Sequence, residues 1–320
     1  MLNFVKYHAL GNDYIVIPTR QDGAWQPTAS GALAPAGDAI AMRESAAGSG
    51  VATGEALALV TPGMARWLCD RHFGVGGDGV IVGPLPGPDS GSAADPGEPF
   101  RLLFFNPDGS NFEKSGNGLR IFARYLWDCG LVGQQPFTIE TPGGAVRCTV
   151  AAGGETVRVE MGQVNFDSTQ IPVLGPQREV LDETLQVGGE QLRYCAATIG
   201  NPHCVVLRAA TSKDEALRLG PLLEREPRFP NRTNVQFLQV VDPQTIRIEI
   251  WERGAGYTLS SGTSSCAAAA VAHRLGLCGS QVTVEMPGGR LQVEIGEDFS
   301  VVLQGPVEKV CEGVAYEPKL

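Results

Sequence analysis

The sequence predicts an α+β protein of two pseudo-symmetric lobes, each a curved, mostly antiparallel sheet around a central helix. Residues 115–132 and 261–278 both open with Ser-Gly and a polar residue, and both continue as an apolar helix that ends near a glycine. A strand and a Pro-Gly-Gly turn follow each helix, at 137–150 and 282–295. Because both pairs are separated by nearly the same number of residues, we interpret them as two copies of one α/β unit.

The repeat extends upstream of the helices. The segment LGNDYIVI at 10–17 resembles IGNPHCVVL at 199–207, at a separation of 189 residues against 146 for the helix starts. The first copy should therefore hold an insertion of about 43 residues. The segment at about 21–62 is rich in Ala, Gly and Ser and fits a surface excursion. The expected lobes are residues 1–158 with 306–320, and residues 159–305.

Hydrophobic periodicity and turn-forming residues predict the strands and helices within each lobe. Runs such as ETVRVEM and TIRIEIW alternate as half-buried strands do, and the PGG and NPDG segments mark turns. Residues 118–128 and 264–275 are apolar on every side, which is typical of helices enclosed by strands. A pseudo-twofold relation between the lobes would bring the two helix starts toward one cleft.

Composition excludes several classes of protein. The 320-residue chain has a net charge of −10 and no run of five basic residues, so we expect no nucleic-acid partner. Lys6, His8, Asn12 and Asp13 interrupt the apolar N-terminus, which predicts neither a signal peptide nor a membrane span. None of the eight cysteines forms a CxxC pair. We therefore expect no metal site and reduced thiols in a cytoplasmic protein.

The two helix starts are candidate ligand sites. Unpaired N–H groups and the helix dipole favour an anion there, and glycines at 116 and 262 let it approach the backbone. Asn117 and Thr263 add polar side chains to these starts. Ser115 and Ser261 are also typical N-cap residues, and for one helix alone a cap would be the simpler interpretation. Repetition at one spacing favours function.

The motifs resemble those of the diaminopimelate epimerase family. The segments LGNDYIVI, CDRHFGVGGDG, FFNPDGSNFEKSGNGLR, GNPH, NVQF and ERGAGYTLSSGTSSCAAA occur in the family's order. The resemblance covers the chain except for the insertion and the stretch at 84–99. It implies two lobes with the site between them, and catalysis without PLP or another cofactor. It also implies two cysteines on opposite faces of an amino-acid α-carbon, one removing the proton and the other returning one.

This chain departs from the family at those two cysteines, because serines stand at 115 and 261. A hydroxyl is a far weaker acid than a thiol and needs an adjacent base before it can remove a proton. Glu113 and Lys114 flank Ser115 without forming an obvious triad, and Cys266 fits a core thiol. Lys114 replaces a common methionine and Tyr257 a common glutamate. Three explanations remain: natural divergence, engineered substrate trapping, or loss of catalysis.

The resemblance assigns the remaining pocket residues by position. Asn106, Asn201, Asn234 and Arg253 would bind a distal carboxylate, and Glu252 a distal ammonium group. Asn12 would line the site, and Gly116, Asn117, Gly262 and Thr263 would hold the α-carboxylate. His203 would hold ligand-binding residues in place without contacting the ligand itself. The set suits an amino acid charged at both ends, because arginine is a bidentate carboxylate ligand and glutamate accepts from ammonium. Gly79 replaces a family glutamine, which removes one polar contact.

We therefore expect a PLP-independent isomerase that acts at the α-carbon of a zwitterionic amino acid, converting LL- to meso-diaminopimelate or a close analogue. Ser115 and Ser261 are the expected catalytic residues. A small amino acid is the expected partner, with no nucleic acid or membrane, and a homodimer is compatible with the sequence. A dehydratase and a non-catalytic or ligand-trapping protein are the alternatives.

Overall fold

The computed structural model describes residues 1–19, 60–86, 98–112 and 114–316. The insertion expected at about 21–62 lies outside these residues except for its last three, and Glu113 also lies outside them. Of those three residues, Val60 is buried, and Thr61 caps a helix that begins at Pro62. A proline is well placed in a first turn because its missing N–H would have no helical partner there.

The described residues form eighteen strands and four helices. The strands are β1 (Leu2–Ala9), β2 (Asn12–Ile17), β3 (Gly79–Leu85), β4 (Phe100–Phe105), β5 (Asn111–Phe112), β6 (Phe137–Thr141), β7 (Gly144–Val150), β8 (Thr156–Gln163), β9 (Glu183–Val187), β10 (Glu190–Thr198), β11 (Pro202–Arg208), β12 (Asn234–Asp242), β13 (Thr245–Glu252), β14 (Gly256–Thr258), β15 (Gln281–Met286), β16 (Gly289–Ile295), β17 (Ser300–Pro306) and β18 (Glu308–Ala315). The helices are α1 (Pro62–Cys69), α2 (Gly116–Asp128), α3 (Lys213–Glu224) and α4 (Gly262–Arg274).

Strand pairing shows that the two halves share one topology. From the middle outwards, the first half runs β8, β7, β6, β4, β3, β2, β1 and β18. The second half runs β17, β16, β15, β13, β12, β11, β10 and β9. In both halves only two pairs are parallel, and they occupy equivalent positions: β4–β6 and β2–β3, and β13–β15 and β11–β12. The predicted α+β fold of two mostly antiparallel, pseudo-symmetric lobes is confirmed.

The halves meet where β8 pairs with β17. The expected division at residue 158 falls inside β8, and that at residue 306 falls at the end of β17. The C-terminal strand β18 returns to pair with β1. The assignment of domain boundaries stays a prediction, since one hydrogen-bonded sheet runs through both halves.

A buried helix lies in each half. Helix α2 begins two residues before the predicted start and ends as predicted, and α4 runs over 262–274 against a predicted 264–275. Ten of the thirteen residues are buried in each. In α4 these include the alanines at 267–270, whose small side chains allow strands to pack close and whose helix propensity is the highest of any residue. Helices α1 and α3 instead pack on separate clusters, against β3 and against β12–β14 respectively.

Candidate active site

The N-termini of the two central helices touch. A Cβ atom placed on Gly262 would lie 3.1 Å from Gly116 Cα and 2.9 Å from Leu303 Cδ2. A Cβ atom on Gly116 would lie 3.1 Å from Met161 Cε. Any side chain at either position would therefore push the helix ends apart, which explains the two glycines. The meeting of the helix starts at one place, expected from the repeat, is what the structure shows.

A serine caps each of these helices. The Ser115 hydroxyl accepts a hydrogen bond from the Gly118 N–H at 3.0 Å, and Ser261 accepts from Ser264 at 3.4 Å. Both serines have extended backbone conformations, as N-cap residues usually do. Ser115 is half-buried and Ser261 is buried. Capping uses one acceptor position of each oxygen and leaves the O–H free to donate, so the capping and catalytic interpretations are compatible.

Glu252 lies beside Ser261. Its half-buried side chain is at the end of β13, where the Ser261 side chain acts to lower the pKa of its carboxyl. Burial raises the pKa of the Glu252 carboxyl, and the negative charge of Asp78 raises it further. A carboxylate with a raised pKa is a stronger proton acceptor than an ordinary glutamate, and this one lies beside a candidate catalytic hydroxyl.

Tyr14 lies close to Ser115 within the first half. Its hydroxyl lies 3.4 Å from Ser115 Oγ, and its ring is buried. Burial raises the pKa of the Tyr14 phenol further above neutrality, so the group is protonated at working pH. The two candidate catalytic serines therefore have different partners: a carboxylate beside Ser261 and a phenol beside Ser115.

Asn117, at the start of α2, bonds to Asn12 in its own half and to Ser260 in the other half. Asn117 Nδ2 donates to Asn12 Oδ1 at 2.9 Å and to the Ser260 carbonyl at 3.2 Å. Asn12 Nδ2 in turn donates to Asp78 Oδ2 at 2.9 Å. The fully buried Arg120 donates to Asn117 Oδ1 at 2.5 Å. These bonds fix two of the predicted site residues in one network at the junction of the helices.

Asp13 and Asp78 form an acidic pair next to Asn12. Hydrogen bonds from Arg71 and Lys6 lower the pKa of Asp13 to about 2, although its burial acts in the opposite direction. Burial and the negative charge of Asp13 instead raise the pKa of Asp78. Arg71 bridges the two carboxylates, with nitrogen–oxygen distances of 2.7 and 2.8 Å. The arginine thus offsets the repulsion that two adjacent carboxylates would otherwise cause.

The second half holds Asn201 and Thr263 through a buried histidine. His203 Nε2 donates to Asn201 Oδ1 at 2.9 Å, and Gln236 Nε2 donates to His203 Nδ1 at 3.1 Å. This bonding pattern assigns the proton to Nε2. Burial lowers the pKa of His203 to about 3, so the imidazole is neutral near pH 7. Asn201 Nδ2 then approaches Thr263 Oγ1 at 3.5 Å, at the start of α4.

The residues expected at the distal end are less closely joined. Asn234 uses both ends of its amide internally, donating to the Pro202 carbonyl and accepting from the Arg253 N–H. The exposed Arg253 guanidinium donates to the carbonyl of Asn231 at 3.1 Å. Asn106 donates to Ser110 within its own turn. Asn234 thus holds the backbone of Arg253, while the structure joins Asn106 to neither of them through the hydrogen bonds it describes.

The residues that depart from the family pattern make different contacts. A Cβ atom on Gly79 would fall 2.6 Å from Tyr14 Cε1, so the tyrosine ring occupies the space that a side chain at 79 would need. Lys114 donates to the Met161 carbonyl at 2.7 Å. Tyr257 instead donates to Glu249 at 2.7 Å. Cys266 is fully buried, and burial raises its pKa to about 12, which makes it a core thiol as expected.

Sequence reasoning missed Tyr14, Asp78 and Gln236. One signal for Tyr14 was present, because it occupies in LGNDYIVI the place that His203 occupies in IGNPHCVVL. Asp78 and Gln236 act through Asn12 and His203, and only the distances between strands place them there.

Neither a metal centre nor a membrane-spanning helix occurs among the described residues. In these residues no group of three or more His, Cys, Asp or Glu side chains is arranged to hold a metal ion. None of the helices formed by the described residues is long and apolar enough to cross a membrane.

Comparison with known proteins identifies the family. The family model described as diaminopimelate epimerase matches residues 51–166 and 195–310. A relative from Nostoc sp., named diaminopimelate epimerase 2, is 47% identical over 312 residues, covering 98% of this chain and 95% of the relative. The chain belongs to the diaminopimelate epimerase family. A diaminopimelate epimerase from Desulfitobacterium hafniense is also 38% identical over 322 residues, which cover 100% of both chains.

Solved structures share the fold of this diaminopimelate epimerase family member. A probable proline racemase from Agrobacterium radiobacter has a TM-score of 0.65 at 18% identity, covering 100% of this chain and 94% of that one. A hydroxyproline epimerase from Agrobacterium vitis has a TM-score of 0.63 at 18% identity, covering 99% and 93%. With the family assignment, the expected class is confirmed: the chain is an isomerase of the diaminopimelate epimerase family.

Proposed function

We propose that the chain inverts an α-carbon of diaminopimelate or a close analogue, converting the LL to the meso form. The observation that carries this proposal is the contact between Gly116 and Gly262, which brings together the two helix starts that Ser115 and Ser261 cap. Inversion needs one group on each face of the α-carbon, and a pair of facing helix starts supplies that arrangement.

Proton removal is assigned to Ser261 with Glu252. As the Ser261 oxygen takes the α-proton, its own proton passes to the Glu252 carboxylate, which lies beside it. This transfer leaves Ser261 protonated, so no alkoxide is needed on the side of the site that removes the proton. Glu252 was expected to bind a distal ammonium group, and its position beside Ser261 supports a role as proton acceptor as well.

The substrate α-carboxylate is assigned to the two helix starts. Gly116 and Gly262 are the first residues of the two helices, whose N–H groups have no helical partner, and Asn117 and Thr263 add polar side chains beside them. Negative charge that develops next to the carboxylate would be stabilised by both helix dipoles. Asn12 and Asn201 hold Asn117 and Thr263 through single hydrogen bonds, so they support this carboxylate site from the two halves.

The distal amino-acid end is assigned to Arg253, with Asn106, Asn201 and Asn234. The exposed guanidinium of Arg253 has a single described hydrogen bond, to a carbonyl, which leaves donors for a carboxylate. Asn234 supports it by fixing its N–H. We propose no PLP, metal or other cofactor, because the serine–glutamate pair supplies an acid–base group without one.

Product analysis distinguishes this function from its alternatives. Incubation of the protein with LL-diaminopimelate in deuterated water should give the meso form carrying deuterium at the inverted α-carbon, as measured by NMR and chiral chromatography. Formation of a keto acid and ammonia would instead show a dehydratase. Tight binding in calorimetry without exchange or inversion would show a non-catalytic protein. The named relatives favour the epimerase over both.

We also propose a homodimer in the cytoplasm. Strand β18 pairs with β1 and with no other described strand, and it presents the half-exposed Val310 and Val314 beside Tyr316, which is 70% exposed. Such an edge can pair with a second copy. No disulfide joins any of the eight cysteines, which suits a reducing compartment. A monomer mass by light scattering would contradict the dimer.

A further inference from the structure

Tyr14 is a buried polar group that the proposed mechanism does not yet use. It lies on β2, which pairs with β1 and β3 beneath the start of α2. Its ring is 6% exposed, and its hydroxyl reaches 3.4 Å from Ser115 Oγ. Catalytic hydrogen bonds are often long before substrate binds and shorten in the complex. The buried Tyr14 phenol is therefore placed to act on a candidate catalytic oxygen.

The surroundings of Ser115 allow Tyr14 to be the donor in this hydrogen bond. Ser115 Oγ already accepts from the Gly118 N–H at 3.0 Å, and it can accept one further bond. When Tyr14 donates to that remaining position, both acceptor positions of the Ser115 oxygen are filled. Only the Ser115 hydrogen can then bond to a ligand in the cleft. Ser115 is then set to give a proton, and two donors stabilise the negative charge left on its oxygen.

Gly79 makes this arrangement possible. A Cβ atom there would lie 2.6 Å from Tyr14 Cε1, 3.0 Å from Tyr14 Cδ1 and 2.9 Å from the Phe105 carbonyl oxygen. A glutamine at this position would displace the ring from Ser115. The glycine at 79 and the tyrosine at 14 therefore act together, because the edge of the phenol ring occupies the space that a side chain at 79 would need.

The repeat shows that the two faces are unequal. Tyr14 stands where the second half has His203, and Asn106 stands where the second half has Glu252. Ser261 consequently has a carboxylate partner, whereas the equivalent residue near Ser115 is an amide that bonds within its own turn. One side carries a proton acceptor and the other carries a proton donor.

We propose that the Tyr14 hydroxyl sets Ser115 as the proton-donating side of the site, opposite the proton-accepting pair of Ser261 and Glu252. This inference rests on the proposed epimerase activity. The α-proton passes to Ser261 as the Ser261 proton passes to Glu252, and the C–H electron pair stays on the substrate. That pair then forms a new C–H bond with the Ser115 proton. The O–H electron pair remains on Ser115, held by Tyr14 and Gly118. Water afterwards returns a proton to Ser115 and takes one from Glu252.

The test is solvent deuterium exchange by the full-length Tyr14→Phe variant, started separately from LL- and from meso-diaminopimelate. We expect inversion to fall by about 10²-fold in both directions, with KM nearly unchanged. From the epimer whose proton leaves toward Ser261, exchange should persist without inversion. From the other epimer, exchange should fall as much as inversion does. A general structural defect would lower exchange from both epimers equally, and that result would overturn the proposal.

Tyr7→Phe is the matched control: Tyr7 lies on β1, which pairs with β2, and its hydroxyl donates to Asp128 Oδ2 at 2.9 Å, at the end of α2 opposite Ser115. It should lower Tm and leave the exchange pattern unchanged. Should Tyr14→Phe fail to fold, Ser115→Ala must give the same one-sided exchange, and equal exchange from both epimers would again overturn the proposal. A wild-type protein that exchanges neither epimer would remove the proposed function, and this inference with it. Normal inversion by Tyr14→Phe would remove the inference alone.

Discussion

Glu252→Gln is expected to lower kcat/KM for inversion of LL-diaminopimelate by about 10²- to 10³-fold. The amide keeps the size of the side chain and can still bond to Ser261, but it cannot take the Ser261 proton. The wild-type activity should fall as pH decreases through the pKa of Glu252, because only the carboxylate form accepts a proton. Since burial raises that pKa above the ordinary value of 4.5, the loss should begin at a higher pH than an exposed glutamate would give.

Glu249→Gln provides the control for this prediction. Glu249 lies on the same strand, accepts a hydrogen bond from Tyr257 at 2.7 Å and faces away from the two serines. We expect it to keep both the rate and the pH profile of the wild type. A Glu252→Gln enzyme with wild-type kcat/KM and an unchanged acidic limb would show that another group accepts the proton.

The double replacement Ser115→Cys and Ser261→Cys is expected to raise inversion of diaminopimelate by about 10²-fold. A thiol has a pKa near 8.5, and the start of a helix lowers it further, so each cysteine can exchange protons near neutral pH. Each single replacement should gain little, because inversion needs a group on each face. The rates of the double variant and of both single variants, measured side by side, test this expectation.

Binding and folding measurements complete that comparison. Cysteine is a weaker helix cap than serine, so Tm should fall modestly in each variant. A folded double variant that binds diaminopimelate by calorimetry but inverts it no faster would contradict the expectation. It would show that serine for cysteine is not the decisive departure, and it would point to a substrate of another length.

The central helices were predictable because their signal is local and repeated. Ser115 and Ser261 open identical patterns, and the apolar composition after them required burial on every side. The symmetry of two such units predicted that both helix starts would lie toward one cleft. The contact between Gly116 and Gly262, which are too close for a side chain at either position, was found only in the structure.

The partners of the serines were not predictable in the same way. Glu252 precedes Ser261 by nine residues, and only the turn from β13 into β14 folds its carboxylate back onto the helix start. Tyr14 lies 101 residues from Ser115, and its approach depends on the register of β2 against β3 and on the missing side chain at Gly79. Strand alternation assigns a face, but it does not assign which atom across the cleft a hydroxyl will meet.

The most direct test of the account compares Ser115→Ala with Ser261→Ala in deuterated water. Both variants lose a cap worth about 1 kcal/mol, so Ser212→Ala at the cap of α3 is the matched control and should keep full activity. We expect each of these two serine variants to stop inversion, and exchange to persist from LL-diaminopimelate in one variant and from the meso form in the other. Loss of exchange from the same epimer in both variants, or inversion by either one, would contradict the assignment of one serine to each face.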